Sequence, residues 1–194
     1  MKLHYVIIVP GLGDHSTLLS WATKRWVRYG LKVIVNPIKW HDGEGIRPKL
    51  DRVLQIIDEL ACNGDKVSLI GCSAGGSAVL SLFWERKDII HKAIIVCGRL
   101  KTGDPKGFRS LDRRSKFSLA FAQSVKLAEN YERLLTTSDK NKIMTVRAMY
   151  DELVPSNTSV VLGAHNVTLP VPEHSIAIYL GLTVFSRRVI KFLS

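Results

Sequence analysis

Cysteine is scarce in this chain: 194 residues carry three, Cys62, Cys72 and Cys97. No two stand in a CxxC or metal-ligand spacing, and an odd, unpatterned set suits a reducing compartment better than a disulfide-stapled secreted fold. Long hydrophobic runs are missing too. Nothing reaches the ~18 apolar residues that would cross a bilayer. The N-terminal MKLHYVIIVPG has an apolar run that stops at Pro10-Gly11, too brief for a signal-peptide core. A cytoplasmic protein is the expectation. Acidic residues are in deficit, 17 against 28 lysines and arginines, giving a formal charge of +11. That excess favours anionic partners without specifying a fold. Zinc-finger spacing, an RNP-like aromatic motif and a long Lys/Arg run are all absent, so nothing points to nucleic acid. There is also no internal repeat, low-complexity tract or linker. With a length that supplies one well-buried core and not two, residues 1–194 read as a single domain.

What is present alternates. Residues 3–9 form a near-continuous β-branched run, suited to a strand buried on both faces. Further strands are expected at 31–35, 66–70, 91–96, 142–149 and 165–169. Helices are expected at about 17–29, from Pro48 to about 63, from 74 to Glu85, at 117–135 and at 175–193. The first carries the stripe Leu18, Ala22, Trp26 and Tyr29. In the second, Leu50, Val53, Leu54, Ile57 and Leu60 recur at amphipathic spacing. The fourth offers Phe117, Phe121, Ala128, Tyr131 and Leu135. Residues 97–116 show no periodicity and read as a long loop. It holds Arg99, Lys101, Lys106, Arg109, Arg113, Arg114 and Lys116 against Asp104 and Asp112. Strands alternating with helices predict an α/β three-layer sandwich, with a roughly six-stranded, mostly parallel sheet and helices on both faces.

Between the third strand and its helix lies Gly71-Cys72-Ser73-Ala74-Gly75, a G-x-S-x-G turn. Glycine on both sides lets strand and helix pass closely, and the turn lifts one hydroxyl out on a strained backbone. A serine hydroxyl needs a base within hydrogen-bond reach, and the base needs an orienting acid. In parallel α/β sheets such groups gather beyond the C-terminal strand ends. Asp151, just past the fifth strand, is the candidate acid. His174, past the sixth strand and before the closing helix, is the candidate base. Each alone reads more simply as a cap or a loop residue; the order Ser73, Asp151, His174, each after its own strand, is hard to ascribe to chance. Rivals are weaker. His15 follows the first strand without an acid in order. His41, Asp42 and Glu44 match no metal-site spacing, and Cys72 is expected to face the core.

With those residues in place, the chain resembles the capless α/β-hydrolases of the carboxylesterase, lipase and thioesterase type over residues 3–193. The Asp-x-x-Val-Pro segment at Asp151 is similar to the acid loop of that superfamily, and Glu173-His174-Ser175 to its histidine loop. Size and the lack of an inserted cap resemble, within it, the small serine hydrolases related to retinoblastoma-binding protein 9 and YdeN. The resemblance implies an oxyanion hole made by the backbone N–H groups of Leu12 and Ala74, with Gly11 as the nearby alternative. Pro10 stands where many members carry a histidine that braces this loop. Implied too are an acyl-enzyme mechanism on a small ester or thioester, with no cofactor and no metal. Gly11, Trp40 and His41 are expected beside the substrate, and the basic 99–116 loop is available to an anionic substrate or lipid surface. The alternative is a non-catalytic binding or regulatory protein on a hydrolase scaffold.

Overall fold

A computed structural model describes residues 2–104 and 106–194; Met1, and Pro105 within the expected long loop, lie outside the described residues. Six strands form one sheet: β1 (His4–Val9), β2 (Leu31–Val35), β3 (Lys66–Cys72), β4 (Ile90–Val96), β5 (Ile143–Ala148) and β6 (His165–Leu169). Their order is β2-β1-β3-β4-β5-β6 and every pairing is parallel. Along β1, side chains alternate between two cores, Val6 and Ile8 to one face and Ile7 and Val9 to the other. The β-branched run is therefore buried on both sides, as a central parallel strand requires.

The helices sort by face. Helix α1 (Ser16–Thr23), with α7 (His174–Leu182) and α8 (Ser186–Leu193), covers the core holding Val6 and Ile8. Helices α2 (Ile46–Cys62), α3 (Gly75–Glu85) and α5 (Leu119–Glu132) cover the other. Two four-residue turns of helix, α4 (Leu111–Arg114) and α6 (Thr137–Lys140), complete the set. Among the described residues nothing larger than α4 lies between β4 and α5, so no cap covers the sheet's C-terminal edge. The chain leaves β1 to build β2 and then crosses back to β3. The loops after β1 and β3 consequently diverge to opposite faces and open a crevice between neighbouring strands. Among the described residues no helix is long and apolar enough to cross a membrane.

Several element boundaries depart from the sequence pattern for physical reasons. The expected 17–29 helix becomes a 3-10 helix over Lys24–Tyr29. Three residues per turn instead of 3.6 rotate the end of the stripe, so Trp26 is buried while Tyr29 is exposed; within the α-helical part, Ala22 is buried and Leu18 is exposed. Helix α2 starts at Ile46, ahead of Pro48, because the Gln123 side chain accepts the Ile46 N–H at 2.9 Å. Pro48 then sits in the first turn, where its missing donor costs nothing. Ser118 caps α5 by accepting from Phe121 N, which leaves Phe117 outside the helix and exposed, not part of an apolar stripe. The closing helix breaks at Thr183. The Thr183 hydroxyl donates to the Tyr179 carbonyl at 2.8 Å, and Gly181, Thr183 and Val184 are poor helix formers. The 97–116 segment is not all loop, since Leu111 is buried and anchors α4.

At the sheet's other edge, His4 meets the Ser68 hydroxyl at 2.9 Å and the His91 ring edge-on. Burial, then the charge of Lys66 and the neighbouring His91, push the His4 pKa from 6.5 down to about 4. An unfolded histidine takes up its proton below about 6.5, so between those values the unfolded state binds more protons than the folded one. Folding stability should therefore fall as pH drops through that window. In urea titrations from pH 7 to 4, His4→Gln should flatten this part of the slope; an unchanged slope would mean the proton linkage lies elsewhere.

Candidate active site

Glycine makes the Ser73 turn possible by proximity. A Cβ on Gly71 would stand 2.3 Å from the Gly75 carbonyl oxygen, and one on Gly75 would stand 2.1 Å from that of Val9. Strand, turn and helix thus touch through backbone alone. Ser73 itself has φ +52°, in the left-handed region that a non-glycine residue adopts at a cost of about 1–3 kcal/mol. The turn is pinned by Ser73 N–H donating to the Val96 carbonyl at 2.9 Å and Gly76 N–H to the Ser73 carbonyl at 2.9 Å.

The hydroxyl so presented meets a ready partner. Ser73 Oγ lies 2.9 Å from His174 Nε2, and His174 Nδ1 lies 2.8 Å from Asp151 Oδ2. A carboxylate only accepts, so Nδ1 carries the ring proton and Nε2 is left to accept from the serine. His174 is the first residue of α7, which Glu173 caps by accepting from Ser175 N–H and Ile176 N–H. Glu152 Oε2 takes the His174 N–H at 3.0 Å, fixing the ring's backbone from the acid loop. Asp151 Oδ1 accepts from Leu153 N–H at 2.9 Å and Val154 N–H at 2.8 Å. Burial pushes the Asp151 carboxyl upward, but His174 and the two N–H donors outweigh it and hold the group below the ordinary carboxylate range. It stays ionised near neutral pH.

Two cysteines flank this chain of bonds without joining it. Burial pushes the Cys72 thiol up to about 12, which removes it as a nucleophile. Cys97 lies with Asp151 and His174 in a cluster whose potential ligand atoms are within 4.8 Å of one another. Burial, then the Asp151 charge, push its thiol up. It lies beside Asp151 as a neutral S–H and is poorly suited to hold a metal, which needs the thiolate.

The loop after β1 completes the crevice. A Cβ on Gly11 would sit 2.9 Å from Ser73 Cβ, so only glycine lets this backbone reach the serine. Among the described residues, neither the Leu12 nor the Ala74 N–H is engaged by a protein acceptor outside the crevice. Trp40 does not line the crevice. It is buried, and its indole N–H donates to the Pro10 carbonyl at 3.1 Å while its backbone N–H reaches Asp14 Oδ2. It braces the loop from behind, the job left open by Pro10. His41 is likewise elsewhere: its Nδ1 faces the Phe117 carbonyl at 2.8 Å on the exposed side. Both were expected on the pocket wall because sequence shows a residue's loop and not its direction. Asp42 and Glu44 are spent on the buried Lys49 and on Arg52.

The crevice opens as a cleft of about 260 Å³. Its walls include Gly11, Leu12 and His15 from the first loop, Leu18 and Leu19 of α1, Leu153, and Ser175, Ile178 and Tyr179 of α7. The α7 contribution follows i, i+3, i+4 spacing, a helical face legible only once its neighbour is known. Arg114 of α4 also reaches the cleft, and no periodicity in 97–116 could have singled it out.

Arg99 holds that segment in shape. Its guanidinium is buried, pairs with no carboxylate among the described residues, and donates to the carbonyls of Lys101, Thr102 and Arg109. Arg109 in turn donates to the Asp151 carbonyl at 3.1 Å, tying the basic segment to the acid loop. Arg99→Met would strand three acceptors and should lower stability by about 2–4 kcal/mol. Chemical denaturation measures this; a change under about 0.5 kcal/mol would show the segment holds itself.

No protein-family model and no curated protein matches the sequence. Solved structures do. Est1E from Butyrivibrio proteoclasticus is 22% identical, with a TM-score of 0.71 over 99% of this chain and 87% of its own. The monoacylglycerol lipase of Paleococcus ferrophilus is 17% identical, with a TM-score of 0.68 over 97% and 93%. The thioesterase domain from the curacin biosynthetic pathway is 10% identical, with a TM-score of 0.63 over 99% and 91%. At these identities the likeness is one of fold, and it lends no support to a finer placement beside retinoblastoma-binding protein 9 or YdeN. With an all-parallel six-stranded sheet, helices on both faces and full-length structural neighbours among esterases, lipases and thioesterases, the chain has the α/β-hydrolase fold.

Proposed function

We propose that this protein is a serine hydrolase of carboxylic esters or thioesters, acting as one catalytic domain. The observation that carries the reading is the continuous hydrogen-bonded chain from Ser73 Oγ through His174 to Asp151. Ser73 attacks the substrate carbonyl as its proton passes to His174 Nε2. The resulting oxyanion is held by the N–H groups of Leu12 and Ala74, with Gly11 making room. His174 returns the proton to the departing alcohol or thiol, leaving an acyl-serine. Water, deprotonated by the same histidine, attacks this ester and releases the acid and the free serine. Asp151 remains ionised throughout and stabilises the imidazolium.

Apolar walls and an uncapped cleft suit a small or surface-presented acyl group. Est1E, a neighbour in fold, has been observed with ferulic acid bound, which fits a small organic substrate for a site of this shape. The basic segment adds an attraction for anionic substrates or lipid headgroups. A series of p-nitrophenyl esters of increasing acyl length tests the reading. Turnover of at least one member, lost in Ser73→Ala, is expected; no turnover of any member by folded protein would count against it.

A further inference from the structure

The charge on the wall of the cleft is one-sided. Among the described residues that line it there is no carboxylate, and the one permanent charge is Arg114. Three other cations of the basic segment are committed elsewhere. Arg99 is buried against three carbonyls, Arg109 bonds the Asp151 carbonyl, and Lys101 pairs with Glu132 at 3.0 Å. Arg114 has no carboxylate within ion-pair distance among the described residues; its guanidinium lies 5.8 Å from the centre of the Phe108 ring. Stacking of that kind leaves the N–H fork in the plane of the group free to take an acceptor.

Arg114 is also held in place. It is half-buried and ends α4, where its N–H donates to the Ser110 carbonyl at 3.1 Å, and the next residue bonds back to the buried Leu111. Burial, then the positive charge of Arg114, disfavour the charged form of Arg99, with Asp112 acting against them. Of the two guanidinium groups only that of Arg114 faces the cleft, and an anion placed there would offset its charge. A guanidinium fork matches a planar carboxylate two bonds at a time, and one carboxylate charge balances the single permanent cation on this wall. In apolar surroundings such a pair is screened less than on open surface.

We propose that Arg114 is a specificity-determining residue that pairs with a carboxylate of the substrate, so that the cleft favours esters or thioesters carrying a free carboxylate away from the scissile carbonyl. The proposal rests on the hydrolase reading for its chemistry but not for its test. The probes are the mono-p-nitrophenyl ester of suberic acid and its neutral counterpart, methylated at the far carboxylate. Binding of each is measured on Ser73→Ala, where turnover plays no part, and kcat/KM on the enzyme with Ser73 intact.

The charged ester should bind about tenfold more tightly than the neutral one, the equivalent of one charge-assisted contact. The same ratio should appear in kcat/KM and reside in KM. Arg114→Gln should abolish the ratio and Arg114→Lys retain part of it. Arg113→Gln removes the same charge from an exposed neighbour outside the cleft and should leave the ratio intact. Equal affinity for the two esters, no affinity for the charged one, or a preference that survives Arg114→Gln overturns the proposal. Failure of the hydrolase reading would show separately, as a carboxylate preference in binding without turnover by the intact serine.

Discussion

Ser73→Ala lowers kcat/KM for a p-nitrophenyl ester by about 10⁴-fold or more while the protein stays folded. The size follows from what the substitution removes. Without Oγ no acyl-enzyme forms, and what remains is substrate binding and the oxyanion donors acting on water. The fold should survive because, among the described residues, the hydroxyl bonds only to His174, and the structural bonds of the turn run through the Ser73 N–H and carbonyl. Alanine meets the same strain at φ +52° that serine does, so the stability change should stay within about 1 kcal/mol. Steady-state kinetics paired with a denaturation curve checks both halves. Turnover of more than about a tenth of the original rate by the folded variant would mean that Ser73 is not the nucleophile.

Asp151→Asn should cost about 10³–10⁴-fold in kcat, mainly through the histidine tautomer. The two N–H groups of Leu153 and Val154 require an oxygen at the Oδ1 position, which fixes the orientation of the asparagine amide. Its NH₂ then points at His174 Nδ1, which must accept, and the ring proton moves to Nε2. A protonated Nε2 cannot take the serine proton. Geometry is kept and chemistry is lost. The same substitution has a stability signature. Because the folded Asp151 carboxyl titrates below its ordinary value, its stabilising contribution is present above the ordinary carboxylate range near pH ~4. It is lost as pH falls through the lower folded value. The stability difference between the original protein and Asp151→Asn should therefore narrow in acid. A difference that widens in acid would contradict the direction of the shift.

The parts of this molecule that sequence made legible are those fixed by short-range rules. β-branched runs bounded by turn-forming or polar residues marked the six strands, and chain order placed Ser73, Asp151 and His174 after the third, fifth and sixth of them. Strained backbone at Ser73 and close glycine packing at Gly71 and Gly75 follow from the pentapeptide itself. Direction was not legible. Trp40 belongs to the right loop but turns inward to hold Pro10, and His41 turns outward to Phe117. Nor was the structure of 97–116, because what orders it is a buried arginine satisfied by carbonyls, an arrangement with no periodic trace. Arg114 reaches the cleft only because Arg99 and the buried Leu111 shape that segment first. The kinked C-terminal helix pair shows the same limit, since Thr183 and its neighbours weigh against an apolar pattern that runs straight through them.

The most direct measurement is covalent capture by a fluorophosphonate probe read by mass spectrometry. A single adduct on the peptide containing Ser73, absent in Ser73→Ala and strongly slowed in His174→Gln, is the expected result. Folded protein that gains no adduct, or gains it at another residue, would contradict the reading and favour a binding protein built on the hydrolase scaffold.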